Sequence, residues 1–259
     1  MSALLELEGV TRDYGGLRAV DSVDLRIDPG SRHGLIGPNG AGKSTLFNLI
    51  RGAEPVSAGR ITFADGDVTS VPEHQRARMG IAQTFQNSSL FLSLSCRENV
   101  LLARQRTTNE ARRFVRRRSP DLEHEAELTL DRVGLADARS KPAASLSHGE
   151  RRQLEVAIAL AMSPRLLLLD EPTAGMSPAE TERLAAIVEQ LDHELAVLVV
   201  EHDLDFVFRV TRDVSVLHLG AMLMTAPAAA VRASDEVARV YLGGASMDDI
   251  FIDPQEVGA

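Results

Sequence analysis

Residues 35–52 read LIGPNGAGKSTLFNLIRG. Gly37, Gly40 and Gly42 precede Lys43, Ser44 and Thr45, and the group is set between an apolar strand-like run and an apolar helix-like one. A hydrophobic core gains nothing from that arrangement; a polyphosphate does. Residues 37–44 match G-x-x-x-x-G-K-[ST] at every fixed position. A loop of Gly37, Pro38, Asn39, Gly40, Ala41 and Gly42 curls so that its N–H groups point inward at phosphate oxygens. The helix behind it adds a positive N-terminal end. Lys43 is placed to reach the β- and γ-phosphates and Ser44 to ligand Mg²⁺, with Thr45 beside it. The expected ligands are a polyphosphate and Mg²⁺.

Bulk composition fits this expectation. The chain has 259 residues, 44% hydrophobic and 25% charged, enough for one large or two modest domains. Its net charge of −9 argues against a general nucleic-acid binder, which needs a basic face. A single cysteine, Cys96, excludes an intramolecular disulfide and fits a reducing compartment. No apolar run approaches a membrane span. The first ten residues carry acids and have neither a basic nor a long apolar segment. The expectation is a cytosolic chain whose membrane association comes from a partner.

Outward from the loop, LLELEGV (4–10) and AVDSVDLRIDPG (19–30) read as antiparallel strands, the second with Val23, Leu25 and Ile27 on one face. A helix is expected from about Ser44 to Arg51, ending at Gly52. GRITFADGDV (59–68) reads as two arms around a turn at Asp65-Gly66. GIAQTFQ (80–86) is a short strand. Between about Asn87 and Ser140 the chain turns polar, Arg-rich and helix-prone, with Leu122, Leu128, Leu130 and Val133 as expected core contacts. Residues 88–159 thus read as a mostly helical subdomain inserted into an α/β core of residues 1–87 and 160–259. The cluster Arg112, Arg113, Arg116, Arg117 and Arg118 reads as a solvated helix face.

RLLLLD (165–170) is a continuous apolar run, the pattern of a parallel strand covered on both faces. It delivers Asp170 and Glu171 to the carboxyl edge of an α/β sheet, where ligands bind. Asp170 is placed to hold Mg²⁺ and Glu171 to polarise an attacking water. Ser177, Pro178 and Glu180 form a capping-box start for a helix whose Leu184, Ile187, Val188 and Leu191 make one stripe. LAVLVV (195–200) is the next buried strand, SVLHLGAMLMTA (215–226) a hairpin around Gly220, and SDEVARVYLG (234–243) a short terminal helix.

These motifs, in this order, resemble the ATP-binding cassette (ABC) family, specifically the nucleotide-binding subunits of its transporters. TFQ (84–86) is similar to the family's Q-loop, LSHGERRQLEVAIAL (146–160) to its signature stretch, AGMSP (174–178) to its D-loop and VVEHD (199–203) to its switch-histidine segment. The resemblance implies a P-loop ABC core with an antiparallel β subdomain and a helical insertion. It implies that Tyr14 stacks on adenine, Gln86 senses Mg²⁺, and His202 contacts the γ-phosphate. It also implies that Ser147 and Gly149 offer a helix N-terminus to the ATP bound by a second subunit, so that two chains sandwich two ATP molecules. Two departures stand out. The common L-S-G-G-Q reads L-S-H-G-E here, with His148 and Glu150, and Ser177 occupies a place that often holds Asp.

The stretches 77–91, 146–160, 170–180, 199–208 and 236–244 resemble, within the family, the ATPase subunits of branched-chain amino-acid importers and of similar urea and short-amide systems. That implies permease subunits, a second ATPase subunit and a solute-binding protein as partners, no nucleic acid, and a peripheral position on the inner face of the plasma membrane. Lipid export by an ABC subunit and a soluble, non-transport ABC ATPase are the alternatives. The latter usually carries two cassettes, a long coiled coil or basic segments, none of which is legible here.

Overall fold

In a computed structural model, residues 2–84, 90–107 and 120–242 are described. Gln86 and the arginine cluster of 112–118 lie outside them. Among the described residues ten strands form two sheets. The first is antiparallel, with order β2-β1-β4-β5, built from β1 (Leu5–Tyr14), β2 (Leu17–Ile27), β4 (Ala58–Phe63) and β5 (Gly66–Asp67). The second has order β10-β9-β3-β8-β7-β6. Its members are β3 (Arg32–Ile36), β6 (Ile81–Gln83), β7 (Leu166–Asp170), β8 (Ala196–Val200), β9 (Asp213–His218) and β10 (Ala221–Pro227). All its pairings are parallel except β9 with β10.

The central strands β7 and β8 are buried along their whole length, and the twofold alternation of side chains divides them between two cores. Leu167, Leu169, Val197 and Val199 face a helical layer. It consists of α3 (Cys96–Thr107), α4 (Pro120–Arg132), α5 (His148–Ala161) and α6 (Pro178–Glu189). Leu166, Leu168, Ala196, Leu198 and Val200 face the opposite core, shared with the antiparallel sheet and with Leu46, Phe47, Leu49 and Ile50 of α1 (Lys43–Arg51). Each such aliphatic side chain contributes about 1.5–3 kcal/mol relative to exposure. Helix α1 is thereby clamped between two sheets. Val23, Leu25 and Ile27 share its core, as their alternation requires.

The remaining helices are α2 (Glu73–Met79), α7 (Leu204–Val210), α8 (Ala228–Arg232) and α9 (Asp235–Leu242). Three expectations are corrected. The turn between β4 and β5 centres on Ala64 and Asp65, which carry the positive φ angles (51° and 63°), so that Phe63 pairs with Gly66. Leu128 is exposed and Leu122 only half-buried; Ala126 faces the core with Leu130 and Val133. The α6 stripe ends at Glu189, leaving Leu191 buried just beyond the helix.

Candidate nucleotide-binding site

Strands β3, β8 and β7 run side by side, with Leu35 opposite Val200 and Val200 opposite Asp170. The chain therefore leaves all three at one level of one sheet edge: from β3 into residues 37–42, from β7 into Glu171, and from β8 into Glu201 and His202. Parallel register alone brings together groups more than a hundred residues apart in sequence.

The glycine loop is seated tightly on its rear side. A Cβ on Gly37 would lie 2.1 Å from the Leu217 carbonyl oxygen, and one on Gly42, whose φ is 100°, 2.3 Å from that of Ala19. The Gly220 N–H donates to the Ala41 carbonyl at 2.9 Å. Lys43 is buried, and its Nζ donates to the carbonyls of Gly37 (2.6 Å) and Pro38 (3.0 Å). Burial lowers the pKa of this ammonium, while Glu171 and Asp170 hold it up. Ser44 is exposed at the start of α1, with Thr45 half-buried beside it.

Burial pushes the Asp170 carboxyl up to about 6; neighbouring Glu171 adds to the shift and Arg51 opposes it. Its Oδ1 is buried with no hydrogen-bond partner. A buried carboxylate oxygen without a donor, flanked by a second carboxylate, suits a cation. Among the described residues no three His, Cys, Asp or Glu side chains form a metal cluster. Mg²⁺ needs no such cage, because it is commonly held by one or two carboxylates, phosphates and water. Glu171 is half-buried, and its φ of 43° lies in the left-handed region, uncommon for a residue with a Cβ. Its N–H donates to the Val200 carbonyl at 2.8 Å, extending the β7–β8 ladder into the loop.

His202 is exposed, and its Nδ1 lies 3.3 Å from Oε2 of the wholly buried Glu201. Glu201 is a residue that sequence reasoning missed; the available signal was an acid placed directly after a fully apolar strand. Arg51 was missed too. It reaches from the end of α1 to Gln83 Oε1 at 3.0 Å.

Two expected elements find their partners outside this cluster. Tyr14 ends β1; its hydroxyl donates to Glu54, and the Arg12 guanidinium lies 4.6 Å over its ring. The signature segment opens α5, where Ser147 is the N-cap and forms a reciprocal capping box with Glu150. That box gives the glutamate in the fifth signature position a local purpose. The Gly149 N–H donates to Glu180 Oε1 at 3.1 Å. Ser147, Gly149, Glu150, Gln153, Glu180 and Arg183 line a small depression there. The Ser147–Glu150 bonds close the start of α5 on itself and the Gly149 bond ties it to the start of α6, so none of them is made to the glycine loop of the same chain.

The family described as ABC transporter matches residues 20–174. The chain is 35% identical over 252 residues to the high-affinity branched-chain amino acid transport ATP-binding protein BraF of Pseudomonas aeruginosa, covering 93% of this chain and 98% of that one. It is 34% identical, with the same coverage, to LivG of Escherichia coli K12, a protein of the same description. Among solved structures, MJ1267, an ATP-binding cassette of an ABC transporter, is 26% identical with a TM-score of 0.83, covering 94% of this chain and 100% of that one. The chain belongs to the ABC transporter family and is one of its ATP-hydrolysing, ATP-binding subunits.

Proposed function

We propose that this subunit powers uptake of branched-chain amino acids, or of a similar small polar solute, through a membrane permease. The observation that carries the reading is the convergence of Lys43, Asp170, Glu171 and His202 on one sheet edge, in a chain this similar to BraF and LivG over nearly its whole length. Residues 1–87 and 160–259 serve as the α/β core of a single cassette and 88–159 as its helical part.

In this reading the loop from Gly37 to Gly42, with Lys43, Ser44 and Thr45, binds the ATP phosphates, and Tyr14 offers its ring to adenine. Ser44, Gln86 and Asp170 hold Mg²⁺, which when bound neutralises charge on the phosphates. Glu171 takes a proton from the attacking water, and His202 holds the γ-phosphate. Hydrolysis then needs no base borrowed from a partner. Ser147 and Gly149 complete the site of a second ATPase subunit, either another copy or a paralogue. ATP binding energy biases the closed pair, and hydrolysis reopens it. No described helix is long and apolar enough to cross a membrane, so attachment to the inner face of the plasma membrane runs through permease subunits. Phe91 and Leu92, both exposed on the helical side, are suited to such a contact.

The test is an affinity purification of the chain from gently solubilised native membranes, with its partners identified by mass spectrometry and the assembly returned to liposomes. Recovery of polytopic permeases, and ATP turnover stimulated by a solute-binding protein loaded with leucine, isoleucine or valine, supports the proposal. Recovery of ribosomal or DNA-repair components without a membrane protein overturns it.

A further inference from the structure

Glu201 has no solvent-exposed side-chain surface, yet both its oxygens are in use. Oε1 accepts from the N–H of Thr173 at 2.8 Å and from the Thr173 hydroxyl at 2.5 Å. Oε2 accepts from the main-chain N–H groups of His202 (2.8 Å) and Asp203 (3.3 Å). The same oxygen lies 3.3 Å from Nδ1 of the His202 ring. These donors come from two short loops. Thr173 stands two residues after Glu171, in the loop that leaves β7; His202 and Asp203 are in the loop that leaves β8. A carboxylate is the one common side-chain group that accepts on both oxygens at once. Buried among these donors, it pins two loops whose flanking strands are already paired.

We propose that Glu201 is a positioning residue for ATP hydrolysis: by gripping Thr173 with one oxygen and the His202 loop with the other, it holds Glu171 and His202 in fixed relation across the sheet edge. The inference rests on the roles proposed for Glu171 and His202. Glu201 does not itself touch the nucleotide. It acts through His202, whose Nδ1 side it occupies, leaving Nε2 as the ring atom for the γ-phosphate. It also acts through the loop that carries Glu171. A catalytic constellation tolerates little looseness, so a defect here is expected in turnover rather than in ATP binding.

Glu201→Gln is the informative substitution. It keeps the shape but sets an NH₂ group against N–H donors on one side of the bridge. Steady-state hydrolysis by the full-length chain is expected to show kcat lowered about tenfold or more, with KM for ATP within about twofold of wild type. In a His202→Ala background the same substitution is expected to lower kcat by clearly less than in the wild type, because the share carried by His202 is already lost while the share carried by the Glu171 loop remains. Thr173→Val, which removes only the hydroxyl donor, is expected to lower kcat with KM unchanged; it decides the matter if Glu201→Gln does not fold. Wild-type kcat in Glu201→Gln, or in Thr173→Val as the deciding variant, overturns the proposal. So does a raised KM at unchanged kcat, or a loss that multiplies with that of His202→Ala. If His202→Ala itself leaves kcat at the wild-type value, the role assigned to His202 is what fails, and the proposal falls with it.

Discussion

The N–H of Gly149, at the start of α5, donates to Oε1 of Glu180, at the start of α6, across 3.1 Å. The other oxygen of Glu180 takes the N–H and hydroxyl of Ser177 at 2.9 and 2.8 Å. One side chain thus satisfies donors at the beginnings of two helices. These hydrogen bonds, those to Ser177 first, hold the Glu180 carboxyl below its usual range. The contact is close because residue 149 is glycine. A Cβ there would meet Glu180 Oε1 at 2.4 Å and its Cδ at 2.7 Å.

Gly149→Ala is therefore expected to destabilise the fold by up to about 1 kcal/mol, because the end of the Glu180 side chain must move off the Gly149 N–H. In a Glu180→Ala background the same change is expected to be neutral or slightly stabilising, because alanine favours a helix over glycine. Urea titration of the two singles and the double mutant checks the change of sign.

Glu171→Gln is expected to keep ATP affinity within a few-fold while turnover falls by about two to four orders of magnitude. With hydrolysis blocked, ATP is expected to hold the chain as a dimer, read by light scattering with and without nucleotide. A monomeric and fully active Glu171→Gln protein would contradict the composite site.

His33 is buried in β3, with Nε2 2.8 Å from the Ser215 hydroxyl, which in turn lies 2.7 Å from that of Thr225. Burial lowers the ring's pKa from 6.5 to about 4, with Asp213 opposing weakly. Between these values the unfolded chain takes up a proton that the fold refuses. This group's contribution is intact above about pH 6.5 and is lost as the pH falls toward 4, by roughly 3 kcal/mol in all. Denaturation midpoints measured across that window should fall more steeply for the wild type than for His33→Gln, which cannot titrate.

Arg76 is 1% exposed. Its guanidinium donates to the carbonyls of Leu49 and Ile50 at the end of α1, and to those of Val68, Thr69 and Val71. Lysine cannot reproduce that fork. Arg76→Lys is expected to cost about 2–4 kcal/mol of stability, since several buried carbonyls lose their donor. Differential scanning calorimetry without nucleotide gives the measurement.

Arg76 also illustrates where the sequence is opaque. EHQRARM has no apolar stripe, so α2 leaves no periodic signal, and its one buried side chain is an arginine. Glu201 was hidden for a related reason: its donors at Thr173 come from a different strand end, and only parallel pairing makes them neighbours. Leu128 fails in the opposite direction, since helical spacing allowed two faces and packing against α3 and α5 favoured the one with Ala126. The nucleotide loop, β7, β8 and the Ser177 box were legible because each depends on residues adjacent in the chain. Contacts that depend on tertiary register were not.

The main chain behind the glycine loop has a kinetic consequence. Leu217 and Ala19, from different sheets, leave no room for the loop to recoil, and α1 is gripped at its far end by Arg76. In the proposed reading, an incoming nucleotide is therefore expected to meet a rigid mould instead of a flap that must first be ordered. The one local change that phosphate binding asks of the loop in that reading is withdrawal of Lys43 Nζ from the Gly37 and Pro38 carbonyls it now meets at 2.6 and 3.0 Å.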